Sequence, residues 1–297
     1  MLTFTPLNRD YRRVYEDLYH QCDEKTADTS FINLWAWQEK YDFEWSFADG
    51  LCWLRHPWKG DYAYYPPIGN WRRQDWPVLI RKHFPTGGNM VKIPETLALL
   101  LKNDLDGEIE ISEDRANWEY IYDVGRLISL SGPEYSTKRK LANRFCRDYN
   151  YNYKSISQED IIRIEEFQQH WLTVETREEK SEQSLRRENR AIRRLLQNWN
   201  LFEPELIGGF LEADNQIIAY TIGERIDKDM IMIHFEKALT VYKGAYQAVN
   251  RIFLENLGEP CKYVNREQDL GLPGLRKAKS EYHPVWFVKK YNLKILN

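Results

Sequence analysis

Apolar residues recur every third or fourth position in some stretches of the chain and every second position in others, and the switch between periods marks its elements. Val14 and Leu18, with Tyr11 and Tyr15, fall at helical spacing between Asp10 and Tyr19. A second helix is predicted from Ser30, whose hydroxyl suits an N-cap, with Phe31, Leu34 and Trp35 on its apolar stripe. The period then drops to two. Phe43 to Phe47 alternates, Ala48-Asp49-Gly50 reads as a hairpin turn, and Leu51 to Arg55 returns. Asp61 to Tyr65 is a third strand, closed by Pro66-Pro67. Trp76 to Phe84 reads as a helix with Pro77 in its first turn, Asn89 to Ile93 as a strand, and Pro94 opens a helix carrying Leu97, Leu100 and Leu101. Two more alternating strands, Glu108 to Ser112 and Trp118 to Val124, follow.

Ser131-Gly132-Pro133 breaks the chain. Thr137 to Tyr149 is then predicted helical, with Leu141, Phe145 and Tyr149 on one stripe and Lys140, Arg144 and Arg147 on a separate face. That basic face meets no carboxylate until Asp148, so it reads either as a solvated flank or as a phosphate-binding surface. Ser157 to Asp160 is expected to cap a helix running through Trp171. The next helix, Glu182 to Trp199, places Leu185, Ile192, Leu195, Leu196 and Trp199 on one side and Arg186, Arg190, Arg193 and Arg194 nearly opposite, partly offset by Glu182 and Glu188. A second meander comes after it: Leu206 to Leu211, Ile217 to Arg225 and Met230 to Phe235, joined by hairpin-length turns. The loop at Thr240 to Gly244 leads into a helix with Ala245, Ala248, Val249, Ile252 and Phe253 on its apolar side, and strands at Cys261 to Val264 and Pro284 to Val288 close the order. Helices followed by a strand meander thus occur twice. The expected architecture is α/β (α+β), with two domains, 1–148 and 149–297, each a mixed, largely antiparallel sheet flanked by helices.

Composition narrows the class. Across 297 residues, 42% are hydrophobic, 29% charged and 14% aromatic, the profile of a globular chain rather than a disordered one. A net charge of −3 excludes bulk attraction to nucleic acid and confines any phosphate affinity to local patches. Cys22, Cys52, Cys146 and Cys261 lie far apart, which suits reduced thiols in a cytoplasmic protein and neither a disulfide framework nor a zinc site. The N-terminus has no signal-peptide pattern, and apolar runs such as Leu97 to Leu101 are too short to cross a bilayer. A soluble protein with at most peripheral membrane contact is expected.

The densest candidate chemistry lies between Ile231 and Tyr282. A strand, a short glycine-containing loop and a helix N-terminus form an anion site in principle, because unpaired N–H groups and the helix dipole face the same point; Lys243 and Gly244 occupy that loop. His234 and Glu236 share one face of their strand by period two, placed either beside a reacting carbonyl or in a buried network with Arg266. After the next strand come Asn265, Arg266, Glu267 and Asp269, then Arg276, Lys277 and Lys279. Arg266 suits a carboxylate or phosphate, Glu267 and Asp269 an amino group, and the three later cations phosphates. The alternative is a surface loop held by Arg–carboxylate pairs. His234, Glu236 and His283 have no metal-ligand spacing.

The order of three antiparallel strands, basic-glycine loop, helix and strand resembles the GNAT acyltransferase fold. In that fold the loop holds the pyrophosphate of an acyl coenzyme A with a Gly-x-Gly or Gly-x-Ala pattern. Here Tyr242-Lys243-Gly244-Ala245-Tyr246 keeps the first glycine and has Tyr246 at the second. Ile233 to Ala238, Gly244 to Gln247 with Asn250, Asn265 to Gly271, Leu275 to Lys279 with Tyr282 and Pro284, and Ser131-Gly132 with Lys138-Arg139 resemble the C-terminal catalytic domain of phosphatidylglycerol lysyltransferases and the uncharacterised bacterial proteins grouped with it. The resemblance implies two GNAT-like domains in tandem, as in the Fem-type aminoacyl transferases. It implies acyl or aminoacyl transfer, without a metal or a required cofactor, from acyl-CoA or aminoacyl-tRNA to an amine or hydroxyl. The acceptor would be a small molecule or a lipid head group. His234, Glu236, Arg266, Glu267 and Asp269 would be catalytic. Lys243, Gly244, Tyr246, Asn250, Asn265, Arg276, Lys277, Lys279, Lys140 and Arg144 would bind substrate or phosphate. Tyr246 motivates a second reading, a binding module that keeps the fold without the chemistry. The Arg144 and Arg190 faces motivate a third, peripheral RNA binding.

Overall fold

The computed structural model describes residues 2–175 and 179–296, with the side chains of residues 175 and 179–182 left aside. Its first elements are β1 (Thr5–Pro6), α1 (Arg12–Tyr19), α2 (Phe31–Tyr41), β2 (Glu44–Ala48), β3 (Leu51–Trp58), β4 (Asp61–Tyr64), α3 (Trp76–His83), β5 (Gly88–Pro94), α4 (Glu95–Asp104) and β6 (Ile109–Glu113). Local chemistry sets their ends. The Ser30 hydroxyl accepts the Asn33 amide at 3.1 Å and caps α2. Asp49 and Gly50 both take positive φ, 56° and 73°, the pair that a two-residue hairpin requires between β2 and β3.

The chain continues through β7 (Glu119–Asp123), α5 (Val124–Ser129), α6 (Ser136–Asp148), β8 (Tyr151–Ser155), α7 (Ile161–Glu175) and α8 (Glu179–Leu196). It ends with β9 (Leu206–Ala213), β10 (Gln216–Arg225), β11 (Met230–Ala238), α9 (Ala245–Glu255), β12 (Tyr263–Asn265), α10 (Pro273–Ser280), β13 (Trp286–Val288) and β14 (Lys290–Ile295). The expected capping at Ser157 is present as a capping box with Asp160, on the 3-10 turn Gln158–Asp160 that leads into α7. The expected meander is there too, β9, β10 and β11 pairing antiparallel in turn. Short β1, β8 and β14 and helices α5 and α10 were not anticipated. Residues 273–279, read as charged loop, are helical because Pro273 starts α10 with its φ already suited to a first turn.

Two seven-stranded sheets result, in the orders β1-β2-β3-β4-β5-β14-β6 and β13-β7-β12-β11-β10-β9-β8. Each holds a parallel pair made by a helical crossover: β4 with β5 across α3, and β11 with β12 across α9. The chain forms two compact units. Unit one comprises Met1–Glu119, Gln268–Leu272 and Phe287–Asn297; unit two comprises Tyr120–Glu267 and Pro273–Trp286. The backbone therefore changes unit several times, where the reading from sequence had one cut at 148/149. Strand pairing is the reason: β14 inserts between β5 and β6 in the first sheet, and β7 pairs with β12 in the second.

In unit two, α6 and α9 cover one part of the sheet. Phe145, Leu211, Ile218, Ala219, Ala238, Ala248 and Val249 form the core there, with half-buried Tyr246 packed against it. Among the described residues no helix is long and apolar enough to cross a membrane.

Candidate functional site

Strands β11 and β12 run parallel through the pairs Met230–Tyr263, Ile231–Val264 and Met232–Asn265. Beyond Asn265, β12 ends while β11 continues to Ala238, so the upper half of β11 loses its neighbour on that side. Polar side chains from both strands cross the opening. Arg266 Nη2 donates to Glu236 Oε1 at 2.8 Å. The second Glu236 oxygen accepts from Asn250 on α9 at 3.2 Å and Thr221 on β10 at 3.5 Å. One residue along, Glu267 Oε1 meets His234 Nδ1 at 2.7 Å, and His234 Nε2 reaches Glu224 at 3.0 Å. Both charged pairs are largely buried, with the Glu236 side chain 11% exposed and that of His234 1%.

A β-bulge aims His234. On β10, Ile222 opposes Phe235 and Gly223 opposes Ile233, so His234 is the extra residue of β11 and the strict alternation with Glu236 is interrupted. Burial by itself disfavours a charged imidazole. Glu224 and Glu267 outweigh it and push the His234 pKa up to about 10. As an imidazolium donating from both nitrogens, His234 has no lone pair for an acceptor's proton. Its chemistry in this state is that of a clamp.

Around Arg266 the site is aromatic. The guanidinium lies 5.0 Å from the Tyr282 ring centroid and 5.9 Å from that of Tyr122. Burial raises the Tyr282 pKa to about 12 against the lowering effect of Arg266. Lys138 of α6 pairs with Glu281 at 2.7 Å and lies 4.9 Å from the same Tyr282 ring.

The remaining candidates divide. Asn265 is fully buried and its side-chain oxygen caps the Glu267 amide at 2.8 Å, which supports the positive φ of 58° at Glu267. Lys279 donates its ammonium to the Arg266 carbonyl, so it fixes the loop. Asp269 belongs to unit one, where its carboxylate holds Arg115 at 3.0 Å and the Gly271 amide at 2.8 Å. His234, Glu236, Arg266 and Glu267 all belong to unit two. Lys277 is exposed on α10 and Arg276 half-buried beside it.

The expected phosphate loop is built for packing. Gly244 is the N-cap of α9 at φ 90°, and a Cβ there would run into the Leu141 carbonyl of α6 and lie 3.2 Å from Phe145 Cβ. The Lys243 amide is taken by the Tyr149 hydroxyl at 3.2 Å and the Ala245 amide by the Tyr242 carbonyl at 3.0 Å. Lys243 itself is exposed. On α6, Lys140 is exposed, while Arg144 and Arg147 both pair with Asp148, at 3.1 and 2.8 Å. On α8, Glu188 is committed to Lys237 at 2.8 Å; the side chain of Glu182 lies outside the described residues.

Three contributors escaped the reading from sequence as site residues: Glu224, Thr221 and Tyr122. Glu224 was the most accessible of them, as a carboxylate inside the apolar run Ile217 to Arg225. Its pairing with His234 follows from the hairpin register, which the run does not display.

Two helix-flanked mixed sheets, with a polar group at the parting strands of the second, define the class. A family model for the C-terminal domain of phosphatidylglycerol lysyltransferase matches residues 19–294, and the chain belongs to that family. A conserved protein of unknown function from Bacteroides thetaiotaomicron superposes with a TM-score of 0.90 at 29% identity, over 99% of this chain and 100% of that one. L-PGS from Bacillus licheniformis has the same fold, with a TM-score of 0.64 at 14% identity over 98% of this chain and 92% of that one. An uncharacterised Mycoplasmoides gallisepticum protein is 26% identical over 203 residues, 66% of this chain and 61% of its own length, so the chain spans less than two thirds of that relative.

Proposed function

We propose that the chain is an aminoacyl-transferase whose reacting centre is the opening between β11 and β12. Its donor is the ester of an aminoacyl-tRNA, and its acceptor is an amine or hydroxyl, lipid head groups included. The observation that carries the reading is the Glu236–Arg266 pair, a nearly buried carboxylate held by a guanidinium where a strand loses its neighbour. Strand ends beside a parting neighbour are where α/β sheets take ligands. Closure of α6 over Gly244 and the spent Lys243 and Ala245 amides favour this donor over acyl-CoA, which needs that helix end for its pyrophosphate.

Glu236 takes the proton of the acceptor N–H or O–H as that atom attacks the ester carbonyl carbon. The tetrahedral intermediate collapses by breaking the bond to the ribose oxygen, which leaves with the proton returned by Glu236. Arg266, Asn250 and Thr221 hold the carboxylate in place throughout.

The test supplies pooled aminoacyl-tRNA carrying labelled amino acids, with amine, hydroxyl and phosphatidylglycerol-vesicle acceptors. Labelled product is expected from the wild type, with the rate lowered about 10²–10⁴-fold in Glu236→Gln. No product from the wild type, or an undiminished rate in Glu236→Gln, sinks the reading. Ligand-induced stabilisation without turnover would instead favour the binding module that the covered Gly244 also suits.

A further inference from the structure

From Leu270 to Leu275 the chain runs Leu-Gly-Leu-Pro-Gly-Leu, and all six residues are exposed. Leu270 is 61% exposed, Leu272 55% and Leu275 36%. Single exposed apolar residues are normal on a folded surface, and Val78 and Ile162 stand singly between less exposed neighbours. Six in a row without a polar side chain are not normal unless they serve a purpose. Leu270 also holds φ 54°, a conformation that a leucine adopts at a cost. The helix that follows has the same character: α10 buries no residue, whereas α9 buries seven. A helix of eight residues gains little from its own hydrogen bonds and is normally held by an apolar face packed on a neighbour. Helix α10 is tied down at its C-terminal end instead, where the Tyr122 hydroxyl donates to the Lys279 carbonyl at 2.9 Å and the Lys279 ammonium to the Arg266 carbonyl. In its first turn, a Cβ added at Gly274 would meet no atom within 4 Å.

Charge and backbone chemistry indicate what covers this stretch. Residues 270–280 hold three cations, Arg276, Lys277 and Lys279, and no carboxylate. The carboxylates on either side are neutralised: the buried side chain of Asp269 holds Arg115 at 3.0 Å, and Glu281 pairs with Lys138 at 2.7 Å. The amides of the loop are spent as well. Gly271 N–H donates to the Asp269 carboxylate at 2.8 Å, Leu272 N–H to the Asp269 carbonyl at 2.9 Å, and Pro273 has no N–H. An apolar medium accepts only backbone whose donors are satisfied internally. We propose that residues 270–277 anchor the chain to the surface of a bilayer bearing anionic head groups. Leu270, Leu272 and Leu275 enter the boundary between head groups and acyl chains, and exposed Lys277, with half-buried Arg276 beside it, rests against the lipid phosphates. A protein partner would need a cup shaped to three leucines, whereas fluid acyl chains close around any apolar tip. The inference goes beyond the transferase reading and uses no part of it: the anchor sets where the chain sits, whatever it transfers.

The full chain is sedimented, without any donor, with vesicles of phosphatidylcholine alone or with about one third phosphatidic acid. Neither lipid carries an amine or alcohol acceptor, so the outcome is separate from that of the transfer assay. Co-sedimentation with the anionic vesicles is expected, with a lipid dissociation constant on the order of 0.1 mM, and about tenfold weaker binding to phosphatidylcholine alone. Leu270→Asn combined with Leu272→Ser is expected to weaken binding to both vesicles about tenfold or more, because two apolar side chains no longer leave water. Both positions are exposed and asparagine tolerates positive φ, so the fold is retained, which an unchanged thermal midpoint verifies. Lys277→Glu is expected to lower affinity for the anionic vesicles about tenfold and to leave that for phosphatidylcholine alone unchanged. Absence of binding to the anionic vesicles, or binding that neither variant weakens, overturns the proposal. A vesicle-free chain that is dimeric in analytical ultracentrifugation and becomes monomeric in the leucine variant also overturns it, since the stretch is then a contact between two copies.

Discussion

His234 has two N–H groups, and each meets a carboxylate. Its folded pKa, about 10, lies above the ordinary value of about 6.5, so the folded state binds a proton that the unfolded chain releases earlier. The stabilisation is therefore fully present below about pH 6.5 and is lost as pH rises toward 10. Urea unfolding across that window is expected to show wild-type stability falling with pH more steeply than that of His234→Gln, by up to about 1.4 kcal/mol per unit. At pH 7 the variant should be less stable by about 3–5 kcal/mol, because Glu224 and Glu267 then face each other with no cation between them. Equal pH slopes for the two proteins would falsify the clamp. How such residues could be read in advance follows from the same pairings. His234, Glu236 and Arg266 stand out as polar groups beside apolar strands, and their resemblance to a known family singles them out. Glu224 and Thr221 join them through hairpin register and a bulge, both set by contacts across the sheet.

Bulges recur at the element scale. In β5, Val91 and Lys92 oppose the single residue Asn292 of β14, and Lys92 takes φ 57°, a conformation that a long side chain adopts at a cost. The bulge turns Lys92 onto Asp28 at 2.6 Å, 5.4 Å from the ring centroid of Tyr65. Each unit thus uses a strand irregularity to aim a cation at a buried carboxylate, and alternation read along the strand cannot show it. The same limit hid β14, whose sequence KYNLKI interrupts its apolar positions with lysines and asparagine although it is an inner strand. Helix α9 was legible because its apolar spacing is regular. The meaning of its N-cap was not, since Gly244 serves an approach to α6 that lies more than ninety residues upstream. Gly244→Ala should therefore destabilise the fold by about 2–4 kcal/mol, through strain at positive φ and collision with the Leu141 carbonyl. A glycine kept for phosphate would behave differently: its alanine variant would fold normally and lose ligand affinity. Thermal unfolding of the variant, read beside a titration of both proteins with inorganic phosphate, separates the two roles.

The whole chain is organised by exchanged strands. Two helix-plus-meander repeats were visible in the order of elements, yet each sheet takes the strand beside its crossover pair from far away in the sequence: β14 beside β5, and β7 beside β12. A linear cut at 148/149 has no access to such long-range pairing. Within unit one the late strand is held by charge as well as by its ladder. Lys290 is fully buried between Asp28 and Glu119; Asp28 also accepts from Lys92 at 2.6 Å and Gln268 at 3.1 Å, and Glu119 from the Ala27 amide at 3.0 Å. Burial alone would raise the Asp28 pKa, but Lys290 and Lys92 hold it well below the usual carboxylate range. Its contribution is thus present above the unfolded carboxylate pKa and lost as pH falls toward the folded one. Lys290→Met keeps the bulk of the side chain and removes the cation that Asp28 and Glu119 share. A loss of about 3–5 kcal/mol is expected at pH 7. The gap from wild type should narrow as pH falls toward 4, because the variant can then protonate a stranded carboxylate that the wild type keeps ionised and paired. Denaturant unfolding of both proteins at the two pH values checks this, and a gap that stays constant or widens in acid would mean that Lys290 acts through packing rather than charge.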